Sequence, residues 1–179
     1  MARDRRVKYT KMIIQESIIQ LLGEKPINKI TVKEICELAD INRSTFYKYY
    51  TDPHDWLEQA EKECFKISKE VLDEIYISDI EVVLTKFVEA IKANYELFRV
   101  IFINREPYFK ELFTLYFEKT ESLMKNTGIQ ASDNNKKWDQ YFYIYGCTGI
   151  IGCWIQDGMK QSPKVVASYI VSLFKKRRL

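Results

Sequence analysis

Two helix-start signals stand close together near the N-terminus, and their spacing limits what this part of the chain can fold into. Thr31-Val32-Lys33-Glu34 places a threonine three residues before a glutamate, a capping box that satisfies orphan amides at a helix start. Asn42 then stands before Arg43-Ser44-Thr45-Phe46-Tyr47-Lys48-Tyr49-Tyr50 as the N-cap of a further helix. The first of these helices must therefore be short, burying Val32, Ile35 and Leu38 and ending near Ala39-Asp40. In the second, Phe46 and Tyr50 lie four apart and share one face, which can anchor it in a core. Arg43, Ser44, Tyr47 and Lys48 then project elsewhere. Two short helices joined by a tight turn, the second with a polar, basic and aromatic outer face, suit a reader of the DNA major groove.

The rest of the chain repeats helical spacing. A first helix is expected over Tyr9–Leu22, with Ile14, Ile18, Leu21 and Leu22 buried and Gly23 ending it. Asp52 and Pro53 open a fourth helix, whose stripe runs through Trp56, Leu57, Ala60, Cys64, Ile67, Val71, Leu72 and Ile75. Further helices are expected near Asp79–Asn94, Glu96–Ile103, Pro107–Lys125, Lys136–Met159 and Pro163–Lys176, with Thr127–Asn135 as a loop. Only 6 glycines and 4 prolines punctuate the 179 residues, and no alternating strand pattern is present. The expected fold is all-α: an N-terminal three-helix DNA-binding domain over residues 1–51 with a helix-turn-helix, a linking helix over 52–76, and a larger helical ligand-binding and dimerisation domain over 77–179.

Charge supports this division. The net charge is +3, but residues 1–51 hold ten basic and six acidic side chains, an excess of four that leaves the remainder at −1. The four cysteines (Cys36, Cys64, Cys147, Cys153) form no CxxC pair, and His54 is the only histidine. A metal site, a cofactor site and a cysteine–histidine enzyme are therefore not expected, and reduced thiols packed as small hydrophobes are. The apolar run Tyr141–Ile155 is shorter than the ~20 residues a membrane span needs, so a buried helix and no membrane association are expected. No apolar core follows Arg3, Arg5 and Arg6, which argues against a secretory signal and for a cytoplasmic, nucleoid-associated protein.

From Ile30 to Leu57 the sequence ITVKEICELADINRSTFYKYYTDPHDWL resembles the helix-turn-helix signature of the tetracycline-repressor (TetR) family, whose members are dimeric regulators. The threonine-capped second helix, Thr45-Phe46-Tyr47, the aromatic at Tyr50 and Trp56-Leu57 carry the likeness. It implies that Thr31 meets a phosphate, and that Asn42, Arg43, Ser44 and Thr45 fall where base edges and nearby phosphates are reached. Tyr47, Lys48 and Tyr49 match positions that hold the DNA backbone. Arginine can take guanine bidentately, and threonine can meet a thymine methyl. Many relatives carry a lysine just inside the fourth helix, where this chain has Pro53 and His54, so more of the affinity should rest on helix-start amides and on arginines of an N-terminal arm.

The segment Tyr145–Ile155, with Gly158 and Ser162-Pro163, resembles the C-terminal domain of a mainly Gram-positive subgroup. Gly146, Gly149 and Gly152 recur every three residues, and a glycine inside a helix costs about 1 kcal/mol relative to alanine. Close helix approach would offset that cost. Gly149, Gly152 and Cys153, with Val165, Val166, Tyr169, Ile170, Leu173 and Phe174 on the last helix, are the expected homodimer contacts; the lesser alternative is that both helices belong to one chain's core. Phe98, Phe102, Phe113, Tyr116, Tyr141 and Tyr145 are candidates to line a pocket for an apolar or aromatic effector, and they also suit a plain core. The resemblance implies a repressor on a palindromic double-stranded operator, released by such an effector. The alternative is a ligand- or protein-binding coregulator with little DNA binding of its own.

Overall fold

The structure, a computed structural model, describes residues 2–73, 79–104, 108, 110–112, 114 and 136–176. Among these every regular element is helical, as expected. The chain divides into two compact units, Met1–Lys62 and Glu63–Leu179.

In the first unit α1 spans Ala2–Leu22, α2 Val32–Leu38, α3 Arg43–Phe46, and α4 begins at Pro53 and continues to Leu72. A single 3-10 turn at Ile27–Lys29 joins α1 to α2. α1 starts about seven residues before its apolar periodicity does. Its first two turns hold Ala, Arg and Lys, good helix formers that need no buried face to be helical. The arginines expected on an arm, Arg5 and Arg6 among them, are thus carried on a helix. Ile14 and Ile18 of α1, Ile35 of α2, Phe46 of α3 and Trp56 and Leu57 of α4 form the core. Leu38 does not join it, being 43% exposed, and Cys36 is buried in its place.

The tight turn between α2 and α3 is set by hydrogen bonds. Ala39 N–H donates to the Ile35 carbonyl (2.9 Å), and Ile41 N–H reaches back to that of Cys36 (3.0 Å). Between them Asp40 takes φ +50°, the left-handed conformation that ends many helices and that aspartate tolerates better than most residues. α4 starts as the sequence predicts: Asp52 Oδ1 accepts from Asp55 N–H (2.9 Å), and Asp55 Oδ2 accepts from Thr51 N–H (2.8 Å).

In the second unit α5 spans Ile80–Ala93, α6 Tyr95–Asn104, α7 Lys136–Gln156 and α8 Pro163–Lys176. The Asp79 carboxylate caps α5 by accepting from Glu81 N–H (2.8 Å). α5 buries Ile80, Val83, Leu84, Phe87, Val88 and Ile91 at helical spacing and packs along α8, which contributes Val166, Ala167, Ile170 and Val171. The Ser168 hydroxyl of α8 donates to the Glu81 carboxylate of α5. A buried polar pair, Ser68 Oγ and Tyr108 Oη at 3.1 Å, joins α4 to Tyr108. No described helix is long and apolar enough to cross a membrane.

The apolar run that forms α7 is not wholly buried. Ile144, Cys147, Ile151, Trp154 and Ile155 face the core, whereas Phe142, Tyr145, Gly146, Gly149 and Cys153 are exposed. The three helix glycines do not share a groove. A Cβ on Gly152 would lie 1.9 Å from the Phe102 ring of α6, so this glycine lets α6 and α7 approach within one chain. Among the described residues nothing lies within 4 Å of a Cβ placed on Gly146 or Gly149.

Candidate nucleic-acid interface

The helix-start expected at Thr31 is present as a complete capping box, and Lys25 extends it. Thr31 Oγ1 accepts from Glu34 N–H (3.3 Å), while Glu34 Oε2 accepts from Thr31 N–H (3.0 Å) and from the Thr31 hydroxyl (2.8 Å). Lys25 Nζ pairs with Glu34 Oε1. The Lys25 ammonium and the two Thr31 donors hold the Glu34 carboxyl down to about 2, against an ordinary value of 4.5. Both donors of Thr31 therefore serve the cap.

This arrangement predicts a pH dependence. A carboxyl whose folded value lies below its unfolded one stabilises the fold above about 4.5, and that contribution fades as pH falls toward 2. Hydrogen exchange of the α2 amides should show more protection in the wild type than in Glu34→Gln at pH 6, with the gap narrowing below about pH 4.5 and closing only below about 2. Equal protection at pH 6 would mean that the ionised carboxylate contributes nothing.

α3 is held from beneath. Phe46 is fully buried, with the Tyr47 ring edge-on at 5.7 Å and the Tyr50 ring at 5.8 Å. Lys11 Nζ of α1 lies over the rings of Tyr49 (5.9 Å) and Tyr50 (5.7 Å), and Gln59 Nε2 donates to the Tyr49 carbonyl (3.3 Å). Asn42 occupies the N-cap position but makes no side-chain capping bond, which leaves its amide open to other partners. Arg43, Ser44, Tyr47 and Lys48 are exposed, as expected for an outward face, and Thr45 and Tyr49 are half-buried.

The candidate contact residues of the second unit do not converge. Phe98 is buried, Phe102 packs on Gly152, and Phe113 and Tyr116 lie outside the described residues, as does most of the helix expected over 107–125 and all of the 127–135 loop. Tyr141 and Tyr145 stack at 6.1 Å on the exposed side of α7, with Lys110 Nζ over both rings. Of the expected dimer contacts, Gly149 and Cys153 are exposed. Gly152, Val166 and Ile170 are buried, which corrects their placement on an outer face; α5 and α6 cover that side of α7 and α8.

Three further expected contacts on α8, Val165, Tyr169 and Leu173, are exposed, and so is Phe142 on α7. On α8 the stripe 165, 169 and 173 stays outward while Val166 and Ile170 turn inward. An apolar cleft of about 300 Å³ opens beside this set, walled by Phe142, Tyr143, Cys147, Ile150, Ile170 and Leu173. Burial pushes the Cys147 thiol up to about 12, so it behaves as a small hydrophobe. Cys36 and Cys64 are likewise buried, Cys153 is exposed, and none of the four is in a disulfide. Among the described residues no cluster of histidine, cysteine and carboxylates could hold a metal ion.

Residues 78–176, more than half of the chain, match the family model described as a TetR-type transcriptional regulator C-terminal region. An uncharacterised HTH-type transcriptional regulator of Bacillus subtilis (strain 168), YxbF, is 26% identical over 173 residues. That alignment takes in 92% of this chain but 44% of YxbF, so the chain spans about half the length of this relative. The fold is similar to that of a TetR transcriptional regulator from Streptococcus agalactiae 2603V, with TM-score 0.65 and 22% identity over 97% of this chain and 98% of that one. It is also similar to the fatty acid degradation regulator FadR of Bacillus halodurans, with TM-score 0.67 and 12% identity over 92% and 94% of the two chains. With a capped helix-turn-helix in its first unit and the family's C-terminal region in its second, the chain belongs to the TetR family of transcriptional regulators.

Proposed function

We propose that this chain is a sequence-specific DNA-binding regulator that acts as a homodimer on a palindromic operator, where it represses until an apolar small molecule releases it. The observation that carries this reading is the outward face of α3. Arg43 and Ser44 of α3, and Tyr47 and Lys48 in the turn that follows it, are exposed on a segment that Phe46, Tyr50, Lys11 and Gln59 all hold. A rigid helix with arginine and hydroxyls outward can meet base edges, and lysine and tyrosine beside them fix register on phosphates.

Dimerisation is supported by the exposed apolar face of α7 and α8. Among the described residues Gly146 and Gly149 have no neighbour that requires glycine, yet each costs about 1 kcal/mol in a helix interior. Close approach by the same face of a second copy supplies a reason. A two-fold dimer would present two reading helices about 34–36 Å apart, one turn of DNA. α4 runs from Pro53 in the first unit to Leu72 in the second, so a ligand that reshapes the second unit can act on the reading helices through it. That coupling is reciprocal and typically worth about 1–3 kcal/mol.

Gly149→Glu tests the dimer. The site is open among the described residues, so the variant should keep its helical content and sediment as a monomer where the wild type sediments as a dimer. Its half-operator affinity should be retained while its preference for the full palindrome is lost. A Gly149→Glu protein that still sediments as a dimer would exclude this face.

A further inference from the structure

We propose that the first turns of α1 form a second DNA-contacting wall, with Arg6 and Tyr9 gripping the sugar-phosphate strand beside the bases that α3 reads. The inference rests on the DNA-binding reading above and extends it to residues outside the helix-turn-helix.

Three observations carry it. The first is a groove of about 1420 Å³, open to solvent, lined on one side by Arg6, Tyr9, Thr10 and Ile13 of α1 and on the other by Arg43, Lys48 and Tyr49. The reading face and α1 thus share one concave surface. The second is register: residues 6, 9, 10 and 13 follow helical spacing, so Arg6 and Tyr9 stand on the side of α1 that faces the groove. Because α1 is helical from Ala2, both are held on a rigid element, and ordering them on DNA costs less than ordering a flexible arm would.

The third is charge. Arg6, Lys33, Arg43 and Lys48 line the groove against Glu37 and Asp40. The Glu37 carboxylate is partly offset by Lys33 Nζ at 3.7 Å. The balance is cationic, and the added groups have phosphate chemistry. A guanidinium can take two phosphate oxygens in its planar fork, and a phenol hydroxyl can donate to a third. The groove is too open and too polar for an apolar effector, whereas one strand of a duplex seated against α3 must pass along such a flank. These contacts should add affinity and fix orientation without adding sequence preference.

The test compares wild type, Arg6→Ala, Arg6→Lys and Glu37→Gln on a set of operator variants over a range of salt concentration. Arg6→Ala should weaken binding about tenfold and by the same factor on every variant. It should also lower the slope of log affinity against log salt by about 1, because one fewer counterion is released. Arg6→Lys should restore the slope, and Glu37→Gln should tighten binding several-fold. Arg6 is exposed, so a lost fold is not expected, and helical content measured alongside checks it. An Arg6→Ala protein with wild-type affinity and slope would overturn the proposal. A change confined to particular base pairs would also overturn it, because that is base reading. A wild type that binds no DNA at low salt would instead sink the DNA-binding reading itself.

Discussion

Arg43→Ala/Lys48→Ala is expected to lose operator affinity by a factor of about 10²–10³ while the protein keeps its fold. Arg43 opens α3 and Lys48 follows its last turn, and both side chains are exposed. A bidentate arginine–guanine contact is worth about 1–3 kcal/mol of discrimination, and a lysine–phosphate contact adds a salt-dependent share. Removing both costs about 3–4 kcal/mol, with each 1.4 kcal/mol a factor of ten. Surface substitutions of this kind usually move stability by no more than about 0.5 kcal/mol, so the melting curve should stay in place. A variant that lost its fold along with its binding would contradict the exposed placement of these residues.

Phe46→Ala should have the largest effect on stability. The ring is fully buried at the centre of the first unit, with Tyr47 edge-on and Tyr50 tilted against it. Truncating a buried phenylalanine costs about 3–5 kcal/mol, part of it for the cavity left behind. A unit of about sixty residues is only marginally stable, so this loss is of the same size as its whole stability. The α2 and α3 amides should lose hydrogen-exchange protection and operator binding should disappear, while the amides of α5 and α8 stay protected. Protection unchanged in α2 and α3 would show that Phe46 is not the anchor of the reading helix.

The sequence was most legible where local chemistry and periodicity point the same way. Thr31–Glu34 and Asp52–Pro53 mark helix starts that the backbone follows, and Asp79, Lys136 and Pro163 lie at or beside the starts of α5, α7 and α8. Phe46 and Tyr50 were legible as anchors because a four-residue spacing leaves one common face. The start of α1 was not legible, since periodicity of apolar residues detects a buried face and the first two turns have none. Leu38 was misread because a seven-residue helix can bury few positions, and Ile35 with Cys36 takes them. The glycines of α7 were expected to serve one close helix approach, and a spacing of three drifts around a helix of 3.6 residues per turn. By Gly152 the drift has reached the side of α7 that meets Phe102. Likewise Val166 and Ile170 carry the right spacing for an interface, but the same spacing serves the packing of α8 on α5. Sequence alone cannot separate two apolar stripes on one helix by what covers them.

The central claim is that α3 reads DNA, and the most direct measurement is selection of genomic DNA fragments by the purified protein, sequenced after enrichment, with Arg43→Ala/Lys48→Ala alongside. The account predicts a shared palindromic site, enriched by the wild type, lost in the double variant and progressively released as salt rises. Enrichment of no fragment even at low salt would contradict it, and so would a site enriched equally by both proteins.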